Sequence, residues 1–320
     1  MTDVIALGES LIDFSPYGKS DSGLNIFEQN PGGAPANVLA TVSKMGGSSA
    51  FIGKVGDDQF GKFLKQTMES SNIDCSGMIL SKEAPTTLAF VHLSNTGDRS
   101  FSFYRDRTAD LLLDWSEIDK NQLKNCKIFH FGSLSLISNP CKTATIKSVK
   151  TAKKSGAIIS YDPNYRPLLW TDEKTAVKEM LKPLPIVDLL KVSEEELELL
   201  TGTADLEKGA DKLLSYGISF VAITLGEKGS YYATKSHKGY VKTINVDAVD
   251  TTGSGDAFWG TLLYQLKDMS KKEIASLTFD ELERIVKLCN VTGSLTATKK
   301  GAIPAIPDKE TATNRLAELL

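Results

Sequence analysis

Short runs of β-branched and aromatic residues alternate along this chain with longer amphipathic stretches, and that alternation restricts the fold more than any other feature. Ile128-Phe129-His130-Phe131, Ala157-Ile158-Ile159-Ser160-Tyr161, Leu189-Leu190-Lys191-Val192 and Phe220-Val221-Ala222-Ile223-Thr224 read as buried strands. Between them a 3.6-residue period predicts helices, among them 141–154, 194–201 and 206–216. Strands that are apolar throughout and separated by helices form βαβ units, hence a mostly parallel sheet covered on both faces. Ligands of such sheets gather beyond the C-terminal strand ends. Asp162, Ser193 and Thr224 each fall at or just after a predicted strand, so they converge on one rim.

Residues 86–105 break the pattern. Thr87-Leu88-Ala89-Phe90-Val91-His92-Leu93 and Ser100-Phe101-Ser102-Phe103-Tyr104-Arg105 flank Asn95-Thr96-Gly97-Asp98, a hairpin turn in composition. Phe101, Phe103 and Arg105 share one face of the second strand. An antiparallel hairpin in an α/β chain predicts a small sheet standing apart; the other reading is an edge hairpin of the main sheet.

The chain's 320 residues suit one large α/β domain or two modest ones, and 41% hydrophobic with 24% charged residues is an ordinary globular composition. A net charge of −3 without basic runs gives no reason to expect nucleic acid or an anionic membrane as partner. Cys75, Cys126, Cys141 and Cys289 are scattered, with no CxxC pair, which argues against a metal cluster or disulfide framework. No basic region precedes an apolar stretch at the N-terminus, and no run reaches membrane-spanning length. The expected location is the cytoplasm.

One segment carries chemistry. In Asp250-Thr251-Thr252-Gly253-Ser254-Gly255-Asp256-Ala257-Phe258, small residues and two glycines let backbone N–H groups converge on an anion. Ala257, Phe258, Leu262, Leu263 and Leu266 then follow at helical spacing, so the loop opens a helix, a natural phosphate site. A carboxylate at Asp256 would repel phosphate unless it accepts a proton from an attacking hydroxyl. The plainer reading is a strand-to-helix turn with an acidic first-turn residue.

Asp-Thr-Thr-Gly-Ser-Gly-Asp at 250–256 resembles the C-terminal signature of the PfkB (ribokinase-like) carbohydrate kinases, in which the last Asp is the catalytic base. Pro31-Gly32-Gly33-Ala34-Pro35-Ala36-Asn37 is similar to that family's N-terminal Gly-Gly motif, and further segments match in order along nearly the whole chain. The fold implied is a ribokinase-like three-layer α/β/α core with a mostly parallel sheet and a small β-sheet lid. It forms one kinase domain over 1–320, its lid drawn discontinuously from about 9–31 and 86–105. Among activities of the family, Gly32–Asn37 and Phe103-Tyr104-Arg105 with Ala109-Asp110-Leu111-Leu112 resemble fructokinases of the bacterial type: ATP and D-fructose giving fructose 6-phosphate. Kinases of 2-keto-3-deoxygluconate, ribose or nucleosides stay open as alternatives, since Arg105 and Arg107 would suit an acid sugar. A sugar-binding protein without catalysis is a third reading, against which the retained Asp256 and both glycines argue.

The resemblance assigns roles residue by residue. Asp256 is the base, with Gly253, Ser254 and Gly255 as anion hole. Asp13, Gly32, Gly33 and Asn37 contact the sugar, although Asn37 also suits a helix start. Beside the resemblance, the residues themselves offer further contacts. Phe101 or Phe103 could stack on the sugar or simply pack. Arg105 or Arg166 (Arg166 preferred, since it follows a strand at the rim) could grip substrate oxygens or phosphate or snorkel to solvent, and Asp162 could organise substrate or metal. By the resemblance, Thr224, Gly226, Lys228, Gly229 and Asn290 border the nucleotide, although Lys228 equally suits an exposed turn. Where the family has Asn-x-x-Glu for magnesium, this chain has Ser193-Glu194-Glu195-Glu196; Glu196 keeps the metal-associated place, while Ser193 and Glu196 also spell a capping box. Asp250 and Thr252 stand where relatives hold a monovalent cation, so potassium joins ATP and Mg2+ among the expected cofactors. The lid could also pair two copies into a homodimer.

Three decoys are set aside. Gly56-Asp57-Asp58-Gln59-Phe60-Gly61-Lys62-Phe63 nearly spells a Walker loop but lacks its Ser/Thr. Gly253–Phe258 lacks the small last residue of a dinucleotide fingerprint. Asn290-Val291-Thr292 lies within a predicted helix from about 278 to 298.

Overall fold

The computed structural model describes residues 1–93 and 99–318; the predicted turn Asn95–Asp98 lies outside them. Its strands are β1 (Thr2–Leu7), β2 (Leu11–Lys19), β3 (Asn25–Gly32), β4 (Ser49–Gly56), β5 (Ile73–Ser81), β6 (Leu88–Leu93), β7 (Arg99–Tyr104), β8 (Cys126–Gly132), β9 (Ile158–Asp162), β10 (Leu189–Ser193), β11 (Phe220–Thr224), β12 (Ser230–Ala233) and β13 (Lys238–Val241). The α-helices are α1 (Ala34–Lys44), α2 (Gln59–Ser70), α3 (Lys120–Lys124), α4 (Cys141–Lys154), α5 (Glu173–Leu181), α6 (Glu194–Thr201), α7 (Leu206–Leu214), α8 (Ser254–Leu266), α9 (Lys271–Ala275), α10 (Phe279–Thr296) and α11 (Lys309–Ala317).

Nine strands form one sheet in the order β13-β12-β11-β10-β9-β8-β1-β4-β5. All pairs are parallel except the two at the β13 edge. Alternate side chains feed two cores. Ile128, Leu189, Phe220 and Ala222 join Val38, Leu39, Trp259, Leu262 and Val286 on the face covered by α1, α8 and α10. Phe129, Ile159, Leu190, Val192 and Ile223 join Ala144, Val149, Leu197 and Leu213 on the face covered by α4, α6 and α7. That double burial is why these strands read as unbroken apolar runs in the sequence.

The hairpin belongs to a separate four-stranded sheet, order β3-β2-β6-β7. β2 pairs antiparallel with β3 and parallel with β6, joining chain segments far apart in sequence. One face packs down through Phe14, which stacks on Phe90 with ring centroids 4.8 Å apart and meets Phe60 of α2 edge-on at 5.8 Å. Phe101 and Phe103 lie on the other face, their rings parallel at 5.9 Å.

α1 and α8 approach closely because Gly260 has no side chain: a Cβ there would stand 2.5 Å from that of Thr41. This contact sets Asn37 of α1 against Asp256 in the first turn of α8.

Candidate active site

Asp162, Ser193 and Thr224 are the last residues of β9, β10 and β11, on the rim the sequence predicts. Beyond it lie two cavities. The larger, about 630 Å³, is bounded by Asp13, Asn37, Phe101, Phe103, Arg166 and Asp256, with Gly33 and Gly253 in its wall. The second, about 450 Å³, runs along Thr224, Gly226, Gly229, Ser254, Asn290 and Gly293. Thr251 and Gly255 line both, so the start of α8 is the neck between them.

Gly253 caps α8 in the left-handed conformation, φ 78°, with a would-be Cβ only 2.7 Å from that of Ala302. No side chain caps the helix; the Ser254 amide donates to the Thr251 carbonyl at 3.2 Å, and the amides of Gly255 and Asp256 are left without a helical carbonyl. Ser254 Oγ is buried without a hydrogen-bond partner. Asp256 is buried, and that burial raises its carboxyl pKa, opposed by Lys191 and by the Asn37 amide. Asn37 Nδ2 donates to Asp256 Oδ2 at 2.8 Å, while its own buried Oδ1 has no partner. Asn37 is thus no helix cap; Gly33 holds that position without a side chain. An amide with an orphaned acceptor at a cavity wall is a ready partner for a hydroxyl donor.

Asp13 opens onto the larger cavity. Burial first, opposed by Arg166 and reinforced by Asp250 and Asp256, pushes its pKa up to about 6. Gly32 lies beside it: any Cβ there would fall 2.2 Å from Asp13 Oδ2. Arg166 is exposed at the mouth, its Nη1 donating to the Tyr165 carbonyl at 3.0 Å.

Several expected site residues are otherwise engaged. Arg105 is buried away from the cavity: its Nε donates to Asp110 Oδ2 at 2.8 Å and Nη2 to the Leu134 carbonyl at 2.9 Å. Thr87 and Thr108 hydroxyls donate to the other oxygen of Asp110. Lys228 is exposed and faces Glu194 at 3.6 Å rather than the second cavity. Asn290 borders that cavity, but its amide ties α10 to the sheet, donating to the Val241 carbonyl at 3.0 Å and accepting from Ser230 Oγ. Asp162 Oδ2 accepts from Lys191 Nζ at 2.5 Å. In the near-Walker segment, Asp58 caps α2 and holds Thr86.

Ser193 and Glu196 form the capping box read from the sequence, and Glu196 Oε1 also accepts from the Tyr165 amide at 2.6 Å. Burial and the charge of Asp162 raise the Glu196 pKa, with Lys191 opposing. Glu196, Asp162 and Asp256 all bear on the single ammonium of Lys191, a local excess of negative charge that fits a hydrated divalent cation. No three ligating side chains among the described residues converge on one point. Asp250 Oδ1 accepts from the amide and hydroxyl of Thr252, and its Oδ2 from the Gly301 amide at 3.0 Å. Its carboxylate thus closes a turn, and a cation there would rest on backbone carbonyls.

Two residues of the larger cavity were not singled out from sequence. Glu9 follows β1 with Oε1 near the Ala34 amide, Oε2 buried without a partner, and burial pushing its pKa up to about 7. Lys191 sits inside β10. A charged residue within an otherwise apolar strand was the available signal in its case.

Fold and paired cavities together define a phosphotransferase that acts on a hydroxyl group. Residues 1–309 match the model of the pfkB family carbohydrate kinases, and the chain belongs to that family. It is 43% identical over 311 residues to a probable fructokinase-2 of Arabidopsis thaliana, covering 95% of this chain and 92% of the relative. Fructokinase from Xylella fastidiosa with bound ATP superposes with a TM-score of 0.92 at 30% identity, covering 100% of this chain and 99% of that one. A double mutant of fructokinase from Vibrio cholerae O395, bound to fructose, ADP and potassium, gives 0.87 at 32% identity and 97% coverage of each.

Proposed function

We propose that this kinase transfers the γ-phosphoryl group of ATP to D-fructose, giving fructose 6-phosphate. The observation that carries the reading is the neck: Gly255 and Thr251 border both cavities, with Asp256 and its Asn37 partner on the side of the larger one. Sugar fills the larger cavity and nucleotide the smaller. Asp256 takes the proton of the sugar hydroxyl as that oxygen attacks phosphorus. The bond from phosphorus to the bridging oxygen breaks, ADP leaves, and Asp256 returns its proton to water. Amides of Gly253 and Gly255 receive the charge on the equatorial oxygens, joined by that of Ser254 once it leaves the Thr251 carbonyl. Asn37 holds Oδ2 of the base, so the other carboxylate oxygen meets the hydroxyl.

Asp13, Asn37 and the backbone of Gly32 and Gly33 orient the sugar, with Phe101 and Phe103 against its apolar face. Arg166 reaches substrate oxygens from the mouth. Magnesium would be held near Glu196 and would supply neutralisation of the negative charge of the nucleotide's phosphates. Potassium beside Asp250 and Thr252 is the monovalent ion we assign, in keeping with the Vibrio relative. The four-stranded sheet acts as a lid within a single kinase domain and as the contact of a homodimer. The four cysteines, all buried free thiols, suit the cytoplasm.

The test is ATP consumption with magnesium against fructose, ribose, 2-keto-3-deoxygluconate, glucose and adenosine, with and without potassium. Fructose is expected to give the highest kcat/KM. Preference for another member of the panel refutes the fructose assignment, and no turnover with any refutes the kinase reading.

A pH dependence follows from Asp13. Its carboxylate accepts from sugar hydroxyls, and protonation near pH 6 removes that acceptor. KM for sugar therefore rises as pH falls through about 6, by about tenfold per unit below it. In Asp13→Asn the KM is higher throughout and this limb disappears. An unchanged limb in the variant would assign the titration elsewhere.

A further inference from the structure

Lys191 stands in the middle of β10 with a side chain 8% exposed, between the strands β9 and β11. A buried ammonium is costly unless its donors are met. It has three, and among the described residues Asp162 Oδ2, at 2.5 Å, is the one acceptor it reaches. The side chain borders the larger cavity and also a smaller one beside Ser193, Glu195 and Glu196. A Cβ placed on Gly255 would lie 3.3 Å from Lys191 Cε and 3.4 Å from Nζ. The ammonium therefore sits beside the backbone of the neck, where the two cavities meet.

We propose that Lys191 is a catalytic cation that touches the phosphoryl group in transfer, with Asp162 as the anchor that aims it. The inference rests on the two-cavity reading above, not on the choice of sugar. A phosphoryl group crossing the neck gains negative charge on its equatorial oxygens beside Gly255, within reach of a Lys191 Nζ that lies 3.4 Å from the Cβ position of that glycine. Asp162, Glu196 and Asp256 together outweigh burial and raise the lysine's pKa, so it stays charged through the neutral range. The competing account is a plain counter-ion for Asp162.

Three proteins separate the accounts: wild type, Lys191→Met, and Lys191→Met combined with Asp162→Asn. Methionine keeps an unbranched stem and removes the charge; the double variant also removes the carboxylate that the single one leaves buried alone. They are assayed at saturating MgATP with whichever sugar the wild type turns over. Both variants are expected to lose ~10²–10³-fold in kcat, the worth of one transition-state donor, with KM for sugar changed less than about threefold. Both should also lose the tightening of ADP by aluminium fluoride, a mimic of the phosphoryl group in flight, measured by calorimetry on the wild type. A double variant restored to within about tenfold of wild-type kcat overturns the proposal. So does either variant that binds ADP with aluminium fluoride as tightly as the wild type. A wild type that prefers a sugar other than fructose refutes the preceding assignment and leaves this comparison in force.

Discussion

Asp256→Asn is expected to bind sugar and nucleotide nearly as the wild type does and to lose about 10²–10⁴-fold in kcat. Asparagine has nearly the volume of aspartate, so the packing of α8 against α1 survives, and Asn37 still finds an acceptor on the new side chain. What disappears is a proton acceptor. The buried carboxylate of the wild type has a raised pKa, which makes it a better base when ionised and gives the rate an acid limb: activity falls as pH drops through that pKa. The variant should lose the limb together with the rate. Steady-state kinetics from pH 5 to 9 check both, and a variant within about threefold of wild-type kcat would remove Asp256 from the base role.

Arg105→Ala tests a structural assignment of comparable size. The guanidinium makes two hydrogen bonds to Asp110 and the Leu134 carbonyl just beyond the end of β7, fastening the small sheet to the main body. Removing one member of a buried ion pair costs about 3–5 kcal/mol, because the carboxylate stays behind uncompensated. Tm should fall by roughly 5–10 °C for a chain of this length. Arg105→Leu with Asp110→Leu, which removes both charges, should regain part of the loss. A Tm near the wild-type value combined with a sugar KM raised more than about 100-fold would return Arg105 to the pocket.

Arg105 also shows where reading from sequence stops. At the end of a strand whose neighbours Phe101 and Phe103 do face the cavity, an arginine looks like a substrate ligand, yet it stands one residue beyond β7 and turns to Asp110. Its partner, Asp110, is only five residues on, but nothing in the spacing says that the loop folds back to meet it. Lys191 is the converse. In Leu-Leu-Lys-Val it reads as a strand residue, and its importance depends on Asp162, Glu196 and Gly255, three neighbours from separate parts of the chain. The fold was far more legible, because burial on both faces is written locally into each strand. The glycines at 253 and 255 and the box Ser193–Glu196 were legible for the same reason: their geometry is demanded within one turn of chain. Lys228 and Asn290 border the right region in sequence, yet an exposed ion pair and the β12–β13 edge engage their side chains.

The hydrogen bond between Asn37 and Asp256 spans 219 residues. Chains are synthesised from the N-terminus, and early segments begin to fold first. The first quarter of the nascent chain carries Asp13, Gly33 and Asn37 of the larger cavity, but Gly255 and Asp256, to which the proposed mechanism gives the phosphate and the hydroxyl proton, have not yet left the ribosome. On those proposed roles, a chain that ends before α8 should consume no ATP, because turnover requires α8 set against α1. Regain of turnover during refolding should therefore require this contact, and a protein that recovers its helical signal before its activity still has long-range docking to complete.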